Sequence, residues 1–493
     1  MRGRVIALAL SLSSFGRAAA QAGDLRQAML VAEDARDTTA AALAPLVRGL
    51  GSRDLATVLH AVRGLGRFER SGLAQRLLPL LPDPRGVVRA ELAHALTQAA
   101  QGLGSAGEDS LWARIRRGIQ ILARDVDPSV REAAVLSLGR LPYRSPAEIR
   151  EARTLLLAQA EPAAPAAVLL ASARALEALI RLRSQIDPPD SLTLSRLRGL
   201  ASYERGASGP TSPVAARVRR LALAGLLAAA SADSAVLASA LGDVDAQVRR
   251  LAALTLAQAG AGLPAGRELL TRALRDSSAM VRLEALRGWG ARFARDDCRP
   301  LLDFARDPSP HVALAAIDLL GAPCGSAAAA SALLVALADT LLDAHRVDRS
   351  AVAAWHRGAH ALVALGRLAP DLVRRFLSRA GAHEAWQVRM YAARAAAEAG
   401  DVGWLLALAR DAEPNVREAA VAGLLKARGH HADSVFLPRW PAPTTNRSSP
   451  LPARWRAHPS GRGPAPPCSW RWRGSPPSDG RPLATPGSRC WSA

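Results

Sequence analysis

The segment Asp125-Val126-Asp127-Pro128-Ser129-Val130-Arg131-Glu132-Ala133-Ala134 contains the pattern that decides the fold of this chain. Proline cannot continue a helix but fits its first turn, and an aspartate before it is a good N-cap. The pattern therefore predicts that one helix ends near Arg124 and a second begins near Pro128. Apolar residues then recur at three- to four-residue spacing, which predicts one buried helix face, at Val130, Ala133, Ala134 and Leu138.

The spacing from a turn aspartate to a Val-Arg pair returns along the chain. It runs from Asp83 to Arg89, Asp125 to Arg131, Asp243 to Arg249, Asp276 to Arg282 and Asp411 to Arg417; looser copies run from Pro213 to Arg219, from His383 to Arg389, and from Asp307 to Ala313. Wider gaps predict degenerate copies at Val168 to Leu179 and Val352 to Leu365. A period repeated this often is typical of stacked helix pairs. We predict an all-α, right-handed α-solenoid of about 11 to 13 pairs over residues 23–436.

The amino-acid composition also favours an all-α fold. Of the 493 residues, 49% are hydrophobic but only 4% aromatic, so the core must consist mainly of Ala, Leu and Val. Small side chains let helices approach closely. The alternation of β-branched residues that marks strands is nearly absent.

The net charge of +21 is a weak indication of nucleic-acid binding. Lys426 is the only lysine in the sequence, whereas nucleic-acid surfaces usually mix Lys and Arg in one patch. We interpret the charge as a mildly basic, solvated surface and expect a protein or peptide partner of unknown identity rather than nucleic acid.

Both ends of the chain differ from the repeats. Residues 1–22 predict a signal peptide, with Arg2 and Arg4 before an apolar stretch and small residues at Ala18 to Ala20. This predicts an exported, periplasmic or extracellular protein. The alternative is an amphipathic first helix on a cytoplasmic protein. No later segment is apolar enough to predict a transmembrane helix.

Residues 437–493 hold 13 of the 33 prolines and five of the ten tryptophans, and the repeat pattern stops there. So many prolines predict a disordered tail. Enrichment in Arg, Pro, Trp and Ser is also what a GC-rich gene yields when it is read out of frame. A frameshift and a genuine Pro/Arg-rich tail both remain open.

The repeats resemble bacterial HEAT repeats related to those of phycobilisome lyases, on the segments Asp83–Arg89, Asp125–Ala134 and Asp411–Ala420. The resemblance implies a HEAT-type solenoid but no particular function, because such repeats serve scaffolds, lyases and adaptors. An exported start, the segment Val31–Asp37 and a long array are also similar to the N-terminal region of some bacterial cyclophilin-type peptidylprolyl isomerases. No Phe-His-Arg or Gln-Gly-Gly-Asp segment occurs, so the resemblance implies a substrate-presenting region without the catalytic domain.

The most regular polar feature is one arginine per repeat, expected on the concave side of the array. These arginines either reach turn aspartates of their own or the next repeat, or line a groove for an acidic partner segment. The candidate binding residues are Arg89, Arg131, Arg219, Arg249, Arg282, Arg389 and Arg417.

Other polar features predict structure rather than chemistry. His356 and His360 lie four residues apart, with Asp343 and His345 upstream, and could chelate zinc; Arg357 stands where a zinc protease needs a general base, which favours a half-buried histidine pair without metal.

Cys298 and Cys324 occupy similar places in successive repeats and can form a disulfide in an oxidising compartment. Gly49, Gly51, Gly64 and Gly66 are interpreted as helix C-caps. No catalytic motif or cofactor site is recognisable. We therefore predict a non-catalytic interaction scaffold that uses its concave surface.

Overall fold

The computed structural model describes residues 23–102, 109–161, 163–204, 212–258, 265–343 and 352–429. The predicted signal peptide and the tail from 437 to 493 lie outside these ranges. All regular elements within them are helices. Helix α1 spans 23–35, and it is followed by α2 (Ala40–Leu50), α3 (Leu55–Arg67), α4 (Ala74–Leu77), α5 (Gly86–Ala100), α6 (Asp109–Leu122), α7 (Pro128–Leu138), α8 (Pro146–Gln159), α9 (Ala166–Arg183), α10 (Ser191–Leu200), α11 (Pro213–Ala228), α12 (Ser234–Ala240), α13 (Ala246–Gln258), α14 (Gly266–Leu274), α15 (Ala279–Arg292), α16 (Arg299–Phe304), α17 (Pro310–Leu320), α18 (Ala327–Asp343), α19 (Val352–Leu368), α20 (Pro370–Gly381), α21 (Trp386–Glu398), α22 (Val402–Leu408) and α23 (Pro414–Arg428).

After α1, the described helices form eleven consecutive pairs, from α2–α3 to α22–α23. We call the even-numbered member of each pair the first helix and the odd-numbered member the second helix. Each of the predicted copies that run from a turn residue to a Val-Arg pair opens a second helix. The degenerate copies predicted at Val168 and Val352 are confirmed as α9 and α19. The fold is an α-solenoid of HEAT-type helix pairs, as predicted.

The two layers of the solenoid pack differently. Each second helix contacts the next second helix extensively, whereas successive first helices touch only sparsely. The second helices therefore form the more closely packed layer of the solenoid. Contacts between α11 and α13 are sparser than those of α9 with α11 or of α13 with α15. The α11–α13 junction is therefore less tightly packed than the junctions on either side of it.

Capping explains where several helices begin. The Asp127 carboxylate accepts a hydrogen bond from the Ser129 N–H at 2.9 Å, with Pro128 at the first helical position. The predicted apolar face of α7 is buried, including Val130 and Leu138. Because the same chemistry recurs at Asp54, Asp190, Asp233 and Asp401, the chain re-enters a helix at well-defined points.

Glycines allow second helices to approach each other closely. A Cβ added at Gly139 would lie 2.5 Å from the Ala175 Cα of the next second helix, and one at Gly66 would lie 2.7 Å from the Ala95 Cα. The C-cap interpretation of Gly49, Gly64 and Gly66 was wrong. Gly49 lies inside α2 and the other two lie inside α3, and all three are buried there, so they serve interhelical packing rather than helix termination. Gly51, by contrast, is the C-cap of α2.

A disulfide joins two neighbouring first helices. Cys298 is the N-cap residue of α16, and its sulfur is bonded to that of Cys324, which precedes α18; the two Cα atoms are 5.8 Å apart. The bond closes a loop that contains the whole of α17. It covalently links the eighth pair to the ninth.

Candidate interaction surface

The repeated arginines form a ladder of ion pairs between successive helix pairs. Each of five arginines donates from Nε and Nη2 to both carboxylate oxygens of an aspartate in the next pair, at 2.7–2.9 Å: Arg89–Asp125, Arg219–Asp243, Arg249–Asp276, Arg282–Asp307 and Arg389–Asp411. Bidentate, charge-assisted contacts of this kind are strong and directional. The ladder therefore ties these five helix pairs to their successors.

The remaining donors and acceptors of the ladder are also used. The Arg249 Nη1 donates to the carbonyl oxygen of Asp243 at 2.9 Å, and the Asp276 carboxylate accepts the Ser278 N–H at 2.8 Å. Hydrogen bonds from the Arg89 guanidinium hold the pKa of Asp125 below its usual value, and the same contact raises the pKa of Arg89. Both groups stay charged at neutral pH.

The ladder follows the first of the two alternatives, because its arginines reach turn aspartates of the next repeat. They lie at the N-terminal ends of the second helices, and most of them also bond to the turns that precede those helices. The side chains are mostly buried; that of Arg219 has no exposed surface and that of Asp243 is 1% exposed. Five of the seven candidate arginines are thus occupied in holding the array together.

Arg131 and Arg417 differ from the other five. Each donates from Nη1 to two carbonyl oxygens of its own turn, at 2.8–2.9 Å for Arg131 and 2.8 Å for Arg417. Neither makes an ion pair with a carboxylate in the part of the chain that the structure describes. For Arg131 the reason is visible in the sequence, because Ala163 occupies the place of the turn aspartate three residues before α9.

The flank of the second helices that faces away from the first helices is here called the inner surface. A groove on it runs between α3, α5 and α7 and is lined by Leu59, Val87, Ala90, Glu91, His94, Ser129, Glu132, Ala133 and Leu136. A second groove lies between α21 and α23 and includes Met390, Arg394, Glu418, Ala422 and Lys426. The residues that line the two grooves occupy equivalent positions when each is counted from the valine of the Val-Arg pair in its own helix. We assign the same positions in the second helices between the two grooves to the inner surface.

Ion pairs on the inner surface connect neighbouring second helices. The Arg63 Nη2 lies 2.8 Å from the Glu91 Oε2, and the Lys426 Nζ lies 2.6 Å from the Glu398 Oε2. Arg63 and Lys426 are more than half exposed. Exposed pairs of this kind contribute little to stability, so the inner surface can exchange these contacts for those of a partner.

The arginines of the inner surface were missed by the sequence analysis. Arg220 and Arg250 each follow a ladder arginine directly and project from the position that Glu132 occupies in α7. The sequence contained the necessary signal, which is the second arginine of each Arg-Arg pair. Successive residues in a helix are rotated by about 100°, so the residue that follows a ladder arginine points away from the ladder. Only the structure shows which member of each Arg-Arg pair remains accessible.

The two histidines of α19 make different contacts. The His356 ring stacks on Trp355, with ring centroids 3.8 Å apart. His360 Nδ1 lies 2.8 Å from the Asp318 Oδ1, and its Nε2 lies 3.2 Å from the Tyr391 hydroxyl. Burial raises the pKa of Tyr391, which makes its hydroxyl a hydrogen-bond donor rather than an activated nucleophile.

The zinc alternative for this histidine pair gains no support. Among the described residues, no three His, Cys, Asp or Glu side chains are placed to hold a metal ion. His345 of the upstream pair lies outside the described residues.

No helix in the described ranges combines the length and apolar character needed to cross a bilayer.

Comparisons with known proteins identify the fold and nothing narrower. No protein-family model matches the sequence, and no curated protein matches it. Among solved structures, the chain is similar to Kap95p in a structure with RanGDP, with a TM-score of 0.53 and 14% identity over 80% of this chain and 60% of that one. It is also similar to karyopherin Kap121p bound to the extreme C-terminus of the protein phosphatase Cdc14p, with a TM-score of 0.52 and 13% identity over 82% of this chain and 47% of Kap121p.

The chain thus spans about half to three-fifths of the length of these two proteins. At such low identity the likeness shows a shared α-solenoid architecture and does not transfer a partner.

Proposed function

We propose that this protein is a non-catalytic scaffold that binds a segment of a partner protein along its inner surface. The observation that carries the proposal is the flank of the second helices that no other described element covers, which presents grooves of mixed apolar and charged lining at both ends of the described array. A surface built on packed helices is formed before binding, so little ordering is needed when a partner docks. The structures of Kap95p and Kap121p, which hold RanGDP and the Cdc14p C-terminus, support the proposal as examples of partner binding by this fold.

Exposed apolar residues offer a direct test with a matched control. Val87 and Met280 belong to the inner surface and are 49% and 44% exposed, whereas Ile121 and Leu192 lie on first helices and are 53% and 62% exposed. The tagged full chain is used to capture proteins from an extract of its source cells. We expect the double variant V87K/M280K to lose specific partners that wild type and I121K/L192K both retain. Equal capture by all three forms would contradict the use of the inner surface.

A second candidate function is the substrate-presenting region of an exported bacterial peptidylprolyl isomerase whose catalytic domain is not in this sequence. It is favoured by the segment Val31–Asp37 ahead of a long HEAT array and by the loss of repeat pattern from residue 437. Translating the gene in its other two frames beyond codon 437 tests this origin. A cyclophilin-like sequence there would favour the isomerase, and its absence would favour the scaffold. A peptide isomerisation assay on the chain itself is expected to show no catalysis.

Export is part of the same proposal. A periplasmic or extracellular location fits the predicted signal peptide and the disulfide between Cys298 and Cys324, because such bonds persist in oxidising compartments. Fractionation of source cells, with N-terminal sequencing of the mature protein, tests it. An intact N-terminus in the cytoplasmic fraction would contradict export.

A further inference from the structure

The middle of the inner surface, on α9, α11, α13 and α15, carries a different charge from its ends. We call this region the central sector. Five arginines project from its inner-surface positions: Arg174, Arg217, Arg220, Arg250 and Arg287. On either side the equivalent positions are acidic in several helices, at Glu91, Glu132, Asp318 and Glu418. Cations also lie elsewhere on the inner surface, but Arg63 and Lys426 are paired with Glu91 and Glu398, and Arg394 stacks on Tyr391. The central sector differs because it carries five arginines in consecutive helix pairs.

Few of these cations are neutralised within the molecule. Glu284, which is 4% exposed, is shared by Arg250 at 3.1 Å and Arg287 at 3.4 Å. Arg174, Arg217 and Arg220 form no hydrogen bond or ion pair with any described residue. One buried carboxylate thus balances two of the five guanidinium groups, and the sector keeps an excess of positive charge facing solvent.

Apolar side chains lie between these arginines. Leu221 of α11 and Leu251 and Leu254 of α13 are half-buried at inner-surface positions, and we call these three residues the leucine row. Ala224 continues the apolar surface along α11, and Met280 of α15 is 44% exposed. The guanidinium groups thus surround apolar side chains on adjacent helices. A ligand that fits this sector needs both anionic and apolar groups.

We propose that the central sector binds an acidic segment of a partner protein, with carboxylates on the arginines and apolar side chains on the leucine row. The inference rests on the proposed scaffold function and names the chemistry of its partner. Arginine binds carboxylates in a bidentate geometry, and complementary charge sets orientation and association rate. Apolar residues interleaved with the cations favour a protein segment over a nucleic-acid backbone, which offers phosphates but no aliphatic side chains.

The test is a binding titration with a defined probe. A fluorescein-labelled peptide of repeating Glu-Glu-Leu is titrated with the full chain and followed by fluorescence anisotropy, with a Lys-Lys-Leu peptide of equal length as its control. We expect the acidic peptide alone to bind, with an affinity that falls as salt is raised.

Two triple variants locate the contact. R174E/R217E/R220E reverses three arginines that have no partner among the described residues, so folding should be preserved and is checked by circular dichroism. R114E/R117E/R306E makes the same change in charge at exposed positions outside the inner surface. We expect the first variant to weaken binding roughly tenfold or more and the second to leave it within about twofold.

Three outcomes would overturn the inference: equal binding by both variants, equal binding of the Lys-Lys-Leu peptide, or tighter binding of random duplex DNA than of the acidic peptide. If the acidic peptide fails while V87K/M280K still loses its captured partners, the scaffold function stands and only the assignment of acidic chemistry fails.

Discussion

Removal of Arg219 should destabilise the middle of the array more than removal of any other ladder arginine. Its Nε and Nη2 lie 2.7 and 2.9 Å from the two Asp243 oxygens, and its Nη1 lies 3.0 Å from the Tyr203 carbonyl oxygen. The pair is essentially inaccessible to solvent. Arg219→Met leaves the Asp243 carboxylate buried without a counter-charge, which costs about 3–5 kcal/mol. The lost ion pair connects α11 to the turn before α13, and the packing between these two helices is sparser than at the junctions on either side.

A double variant separates the unpaired charge from the lost packing. In the wild type, the Asp245 N–H donates a hydrogen bond to the Asp243 carboxylate at 2.8 Å. Asp243→Asn keeps a side-chain oxygen that can accept this bond. In Arg219→Met/Asp243→Asn no charge is left buried, so we expect it to be more stable than Arg219→Met alone. Urea unfolding followed by circular dichroism measures the free energies. Hydrogen exchange shows whether α11 and α13 open first, because a repeat array can unfold locally.

Arg63→Met is the matched comparison, since Arg63 pairs with Glu91 while 51% exposed. Its loss should cost less than about 1 kcal/mol. If Arg219→Met were no more destabilising than Arg63→Met, or if the double variant were the least stable of the set, the account of the ladder as a buried structural element would be wrong.

Three further predictions concern other features of the array. Gly139→Ala places a Cβ against the backbone of the next helix and should cost about 1–3 kcal/mol of unfolding free energy, whereas Gly199→Ala, with nothing within 4 Å, should be neutral or slightly stabilising. Cys298→Ser removes the disulfide and should lower stability by about 2–4 kcal/mol in non-reducing urea titrations, with no difference from wild type once a reductant is present. Because Arg89 and Arg389 lower the pKa of Asp125 and Asp411 in the folded state, the contribution of these two ion pairs to stability is fully present above the unfolded value near 3.8 and is lost as the pH falls through the folded pKa. Stability from thermal scans should therefore decline below about pH 4.

The helix pairs could be predicted because their determinants are local. A proline at the first turn, a capping aspartate and apolar residues at helical spacing all act within a few residues, so Asp127, Pro128 and Val130 are sufficient to place α7. Even degenerate copies such as α9 retain enough of this pattern to be recognised. Contacts between pairs depend on the stacking geometry, which spacing along one chain does not encode.

Gly66 and the arginine ladder illustrate that limit. The sequence shows glycine near the end of a helix, and the C-cap interpretation is the usual one; the close approach of Ala95 becomes visible only when two helices are stacked. Similarly, the spacing from Asp83 to Arg89 leaves open whether the arginine reaches the turn aspartate of its own repeat or that of the next. The structure shows that the ladder carboxylates are paired with the arginine of the preceding repeat, while Arg89 donates from Nη1 to its own turn.

Adjacent arginines in α11 and α13 have different roles, one in stability and the other in ligand binding. In α11 and α13 the first arginine of each pair is bound in the ladder, and the second, one helical step further on, faces the inner surface as Arg220 or Arg250. Substituting the first should therefore change stability with little direct effect on a ligand, and substituting Arg220 should change ligand binding with little effect on stability. A measured reversal of these two effects would place the ladder, rather than the inner surface, in contact with the partner.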